Sequence, residues 1–170
     1  MSGPGVQSTT IRPATASDES ALGPLGAALM RQHHASDPRR FILVDRPEAG
    51  YGRFLVSQLV DPDVLVLVAE RSNEVVGYVF AAIERTSWRD LRGPCGFIHD
   101  VFVLESVRRQ GTGADLLRAA ITWVRSRGLS QVVLWSKSGN DAAQRLFAKL
   151  GFRETMIEMT LDWDPSEPTD

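Results

Sequence analysis

The sequence predicts a single α/β domain whose elements run β-α-α-β-β-β-α-β-α-β. Three observations carry this. The 170 residues are 43% hydrophobic, enough to bury most of the unfolded surface in one core. No internal Pro/Gly/Ser stretch is long enough for a linker, and no repeat or low-complexity segment occurs. Along the chain the hydrophobic period switches repeatedly between two and 3.6 residues.

Residues 1–8 read as a disordered lead and 165–170 as a frayed tail, which leaves 9–164 as the folded domain. Thr9 to Pro13 is a short first strand. Ser17-Asp18 caps a helix carrying Leu22, Leu25 and Leu29 on one face, with Pro24 expected to delay or kink it. A second helix follows Pro47-Glu48, striped by Tyr51, Phe54, Leu55 and Leu59, and stops at Asp61-Pro62-Asp63. Val64 to Ala69 and Val75 to Ile83 are dense in β-branched residues and flank a hairpin signal, Arg71-Ser72-Asn73-Glu74. A strand from Cys95 to Val103 follows the turn Arg92-Gly93-Pro94. In helix 111–127, Leu116, Leu117, Ala120, Ile121 and Val124 form a core stripe. Gln131 to Trp135 is a short strand, and a polar turn, Ser136 to Asn140, opens a helix through Leu150, closed by Gly151-Phe152. A final strand completes the order.

The chemistry concentrates where strand 95–103 meets helix 111–127, at Arg108-Arg109-Gln110-Gly111-Thr112-Gly113. A helix start carries four N–H groups without intrahelical partners and the positive end of the dipole, a ready seat for phosphate. Glycines 111 and 113 remove Cβ atoms that would hold a pyrophosphate off the backbone, and two arginines add charge. No Gly-Lys pair occurs, which excludes a P-loop, and Leu116 stands where a dinucleotide fingerprint needs its third glycine.

What remains, Arg108-x-x-Gly111-x-Gly113, resembles the coenzyme A signature of the GNAT N-acetyltransferase superfamily. Asn140, Phe147, Gly151 and Phe152 fall where that family's second motif places them. The resemblance implies a GNAT fold, a mixed, mostly antiparallel sheet with helices on both faces. It implies acetyl-CoA as co-substrate, with the backbone of Val101, Phe102 and Val103 along the pantetheine and the N–H groups of Arg109 to Ala114 on the phosphates. Asn140 is implied to touch the coenzyme, beyond capping its helix. Phe147 occupies the place where many members carry a tyrosine that protonates the departing thiolate, and it has no hydroxyl. A serine such as Ser136 or Ser138, water, or no donor at all then serves.

Transfer to an amine also needs a base, since a lysine-like amine is about one part in 2,500 neutral at pH 7, a penalty of about 4.6 kcal/mol. Strand 95–103 offers His99 and Asp100. In a regular strand they point to opposite faces, and His99 shares the face of Val101 and Val103. His99, with an ordinary pKa near 6.5, is the first choice. Asp100 suits a structural acceptor better than a base. Ile98 to Val103 is similar to the polyamine and small-amine branch, where an acidic pair stands here and its first acid is a proposed base. By the same resemblance His33, His34, Asp37, Tyr51 and Glu84 line the acceptor site.

A net charge of −2 argues against a nucleic-acid partner. No apolar run is long enough to cross a bilayer and residues 1–10 lack an apolar signal core, so the expected location is the cytoplasm. The lone Cys95 fits a reducing compartment and reads as a packing residue rather than a nucleophile. Adjacent His33 and His34 diverge on a helix and no third ligand is spaced for them, so no metal is expected. The leading expectation is direct transfer from acetyl-CoA to a primary amine, on a small molecule or a peptide. A non-catalytic acyl-CoA-binding domain and a protein N-terminal or lysine acetyltransferase are the alternatives. Family members often form homodimers.

Overall fold

The computed structural model describes residues 8–164; the expected lead, apart from Ser8, and the expected tail lie outside them. One five-stranded sheet runs in chain order, β1 (Thr10–Pro13), β2 (Val64–Arg71), β3 (Glu74–Glu84), β4 (Cys95–Val103) and β5 (Val132–Leu134). The first three pairings are antiparallel and β4–β5 is parallel. Ser72 and Asn73 both adopt positive φ, 51° and 64°, the backbone of a tight two-residue hairpin whose twist matches its strands.

Helices α1 (Glu19–Ser36) and α2 (Pro47–Ser57) cover one face, and α3 (Thr112–Ser126) and α4 (Asp141–Lys149) the other. On the first face Leu22, Leu25 and Leu55 pack on Val66, Val68, Tyr78, Phe80 and Phe102. On the second, Leu116, Leu117, Ala120 and Phe147 pack on Leu67, Val79, Ala81 and Ile98. Pro24 lies inside α1 without ending it. Both Pro24 and Ser20 are exposed, on the face of α1 where a carbonyl without a helical donor can be solvated.

The entry to α1 is held from within the sheet. Asp18 accepts from the Thr15 N–H at 2.7 Å and from both Arg12 Nη atoms at 2.9 Å, while Arg12 Nε reaches Glu70 at 2.8 Å. These bonds, Arg12's foremost, hold the Asp18 carboxyl down at about 2. α1 and α2 cross in close contact through glycine. A Cβ at Gly52 would stand 2.7 Å from the Glu19 carbonyl oxygen, and one at Gly26 would overlap the Tyr51 ring. The final strand expected after α4 is absent among the described residues. Residues 152–164 form no strand, and the sheet ends at β5.

Candidate active site

The helix start read as an anion seat has free N–H groups at its tip. After β4 the chain makes a short helical turn, Glu105–Val107, then Arg109 (φ 61°) and Gly111 (φ 94°) take left-handed conformations. The Asp115 N–H bonds the Gly111 carbonyl at 3.0 Å. The N–H groups of Thr112, Gly113 and Ala114 are therefore left without helical acceptors at the positive end of α3. Arg108 folds back, its Nε on the Val103 carbonyl at 2.9 Å and its guanidinium over the Phe102 ring. Gln110 accepts from Arg71 Nη1 at 2.6 Å and donates to the Ser106 carbonyl at 3.3 Å. Arg71, at the end of β2, brings a third arginine to the loop. In sequence it marks only a hairpin, and nothing local points to Gln110.

Beside this seat the sheet opens. β4 pairs with β5 at Gly96, Phe97 and Ile98 only, so the backbone from His99 to Val103 has no strand neighbour on that side. An extended ligand can pair there. Asn140 caps α4, its side chain accepting from the Ala143 N–H at 3.3 Å. Phe147 is buried in the core edge-on to Phe152, with ring centroids 6.0 Å apart.

One expectation about β4 is corrected. Phe80 stands opposite Asp100 and Ala81 opposite Ile98, so His99 is an extra residue in a β-bulge. A bulge breaks the alternation of faces. The His99 ring stacks on Phe80 and Phe97, at centroid distances of 5.0 and 4.7 Å, on the α1–α2 face that Asp100 also occupies. It does not share the face of Val101 and Val103, which pack on the α3–α4 side.

Asp100 Oδ2 accepts from the Tyr51 hydroxyl at 2.5 Å and from the Tyr78 hydroxyl at 3.2 Å. Among the described residues, its Oδ1 has no protein partner. Burial pushes the Asp100 carboxyl above the usual carboxylate range, and the two hydroxyls oppose that rise. Burial and the Asp100 charge raise both phenols, which stay protonated as donors. His99 Nε2 lies 3.4 Å from Glu84 Oε1. Burial lowers the His99 pKa despite the pull of Glu84 and Asp100, so the imidazole is neutral at pH 7. Arg92, read in sequence only as part of a turn, binds Glu84 and Cys95. The thiol is buried and its pKa raised, which leaves it a packing residue.

A cavity of about 160 Å³ opens onto Asp100, lined by Leu29, Met30, His33, Phe41, Ile42 and Tyr51. Burial lowers the His33 pKa, and its ring stacks on Phe41 at 4.8 Å. Of the residues expected at the acceptor site, His33 and Tyr51 thus meet Asp100, and Glu84 meets His99. His34 and Asp37 have local tasks. His34 Nδ1 lies 2.7 Å from the Phe41 carbonyl, and Asp37 accepts from the N–H groups of Arg39 and Arg40 at 3.1 and 3.2 Å. Tyr78 and Gly26 were not legible as site residues, because their roles depend on which strand and helix they oppose. No helix among the described residues is long and apolar enough to cross a membrane.

Comparison with known proteins agrees with this architecture. The chain is 34% identical over 92 residues to a mycothiol acetyltransferase from Thermobispora bispora, covering 54% of this chain and 31% of that one. It therefore spans under a third of that relative's length. An N-alpha-acetyltransferase from Sulfurisphaera tokodaii is 30% identical over 136 residues, 75% of this chain and 81% of its own. The solved structure of the aminoglycoside N-acetyltransferase AAC(6')-Iy in complex with CoA superposes with a TM-score of 0.70 at 18% identity, covering 96% and 99% of the two chains. Residues 27–152, most of the chain, match the model of the acetyltransferase (GNAT) family, to which this protein belongs.

Proposed function

We propose that this protein transfers the acetyl group of acetyl-CoA to a primary amine of a small molecule, by direct attack with both substrates bound. The observation that carries the reading is the bulge at His99. It puts a neutral imidazole and a half-buried carboxylate on one face, next to the open β4 edge and one turn from an anion seat.

The site residues fit the coenzyme. The unpartnered N–H groups of Thr112, Gly113 and Ala114, with Arg108 and Arg109 nearby, hold the pyrophosphate, and Val101 to Val103 offer an extended backbone to the pantetheine. When bound, acetyl-CoA supplies an activated thioester. Asp100 holds the acceptor ammonium at the floor of the cavity, and Tyr51 and Tyr78 keep its carboxylate aimed. His99 takes the proton that the amine must lose, and Glu84 orients the ring and stabilises the imidazolium. Position 147 supplies no phenol, and a thiol with a pKa near 8.5 leaves without one.

The cavity is smaller than a usual drug-sized pocket. With His33, Phe41 and Ile42 on its walls, it takes the amine-bearing end of an acceptor. The test is acetyl-CoA-dependent thiol release across polyamines, aminoglycosides, amino acids and short peptides. Release that requires one class of small amine is expected. Thiol release only with peptides would move the acceptor to a protein N-terminus or lysine, and tight acetyl-CoA binding with no amine-dependent release would leave a binding domain.

A further inference from the structure

The cavity over Asp100 has apolar walls. Leu29 and Met30 come to it from α1, and Phe41 and Ile42 from the loop that follows α1. The half-buried Phe41 ring stacks on His33 at 4.8 Å. Ile42 lines the cavity and is 73% exposed, so it stands at the mouth. Leu43 and Val44, 45 and 46% exposed, continue the apolar surface beyond it. A run of exposed apolar residues that joins no core marks a binding surface.

The charges around this cavity are paired with one another, Asp100 excepted. Glu84 is held by Arg92 and faces His99, and Glu48 is held by Arg31. Arg39 and Arg40 pair with Asp162 and Glu158. Asp37 turns to the N–H groups of its own loop. Asp100 binds Tyr51 and Tyr78 through Oδ2, and its Oδ1 has no hydrogen bond among the described residues. Burial lowers the His33 pKa, and the charge of Lys137 lowers it further. A second ammonium group brought here therefore meets a cation and no free carboxylate.

We infer that the acceptor is a primary amine with a single positive charge and an apolar chain or ring. Its ammonium sits on Asp100, and its carbon skeleton lies along Leu29, Met30, Phe41 and Ile42. This rests on the proposed acetyl transfer and narrows its acceptor. A polyamine or an aminoglycoside carries further ammonium groups, which would lose water against apolar walls with no carboxylate to receive them. An alkyl or aryl group loses water there with a gain in proportion to its area.

The test is kcat/KM for the alkylamines from propylamine to hexylamine and for phenethylamine, beside spermidine, kanamycin and a short peptide. Binding of hexylamine and spermidine is measured by calorimetry in the presence of coenzyme A. Each added methylene is expected to lower KM about fourfold, and kcat/KM for hexylamine or phenethylamine to exceed that for spermidine, kanamycin and the peptide. Ile42→Asp puts a carboxylate at the exposed mouth, where it should raise KM for hexylamine and lower it for spermidine severalfold. A higher kcat/KM for spermidine, kanamycin or the peptide overturns the inference and leaves acetyl transfer standing. So does a KM indifferent to chain length. If no amine releases thiol, the proposed transfer fails and calorimetry still decides the ligand class. Hexylamine bound more tightly than spermidine, with binding lost in Asp100→Asn, upholds the inference; tighter spermidine, or no binding of either amine, overturns it.

Discussion

The Tyr51 hydroxyl donates to Asp100 Oδ2 at 2.5 Å, joining α2 to the bulged strand at the cavity lined by His33, Phe41 and Ile42. This bond exists because Gly26 leaves α1 bare where the Tyr51 ring crosses it. A residue without a side chain thus places one that bonds the carboxylate.

Tyr51→Phe removes one of two hydroxyls from a carboxylate that burial already pushes up. The Asp100 pKa should rise further, and KM for the amine should increase about tenfold, in line with the loss of one hydrogen bond to a charged group. Gly26→Val should do the same by displacing the ring, and should also cost about 1–3 kcal/mol of stability through overpacking. Steady-state kinetics and urea unfolding of the two variants separate these effects. An unchanged KM in Tyr51→Phe would remove Asp100 from acceptor binding.

Gly111→Glu tests the anion seat. A side chain at φ 94° costs about 1–2 kcal/mol in backbone strain, and a carboxylate there repels phosphate. Calorimetry should show acetyl-CoA binding abolished while circular dichroism stays that of the wild type. Retained affinity would place the phosphates elsewhere.

Asp18 ties α1 to the sheet, and its pH dependence has a fixed sign. Its folded pKa, about 2, lies below the unfolded value near 3.9, so the unfolded state binds more protons in that window. The stabilisation is present above pH 4 and is lost as pH falls through about 2. Asp18→Asn should therefore cost about 2 kcal/mol in urea unfolding at pH 7, and the gap from wild type should close toward pH 2. A gap independent of pH would mean that packing, not charge, holds this corner.

Local chemistry made much of the fold legible. The β2–β3 hairpin follows from two residues able to adopt positive φ, and α3 from a five-residue apolar stripe of which Leu116, Leu117, Ala120 and Val124 are fully buried and Ile121 is half-buried. The left-handed turn at Gly111 and the start of α3 could be read because the glycines and the helix start are contiguous. The His99 bulge could not. Phe97, His99, Val101 and Val103 alternate as in a regular strand, and only the register against β3 reveals the extra residue. The final strand failed for a related reason, since alternation after Phe152 shows what a segment can pair with and not whether its own chain provides the neighbour. Arg71 and Tyr78 are turn or core residues by local pattern, and each reaches the site only through contacts distant in sequence, to Gln110 and Asp100.

The pH dependence of kcat/KM in wild type and His99→Gln tests the proposed chemistry most directly. The alkaline behaviour belongs partly to the amine, whose pKa lies near 10, so the acid limb is decisive. Burial lowers the His99 pKa, and the wild type should lose activity with a midpoint below about 6.5. In His99→Gln that limb should vanish and the plateau should fall about 10²- to 10⁴-fold, with acetyl-CoA affinity unchanged. An unaltered acid limb with a rate near wild type would contradict His99 as the base.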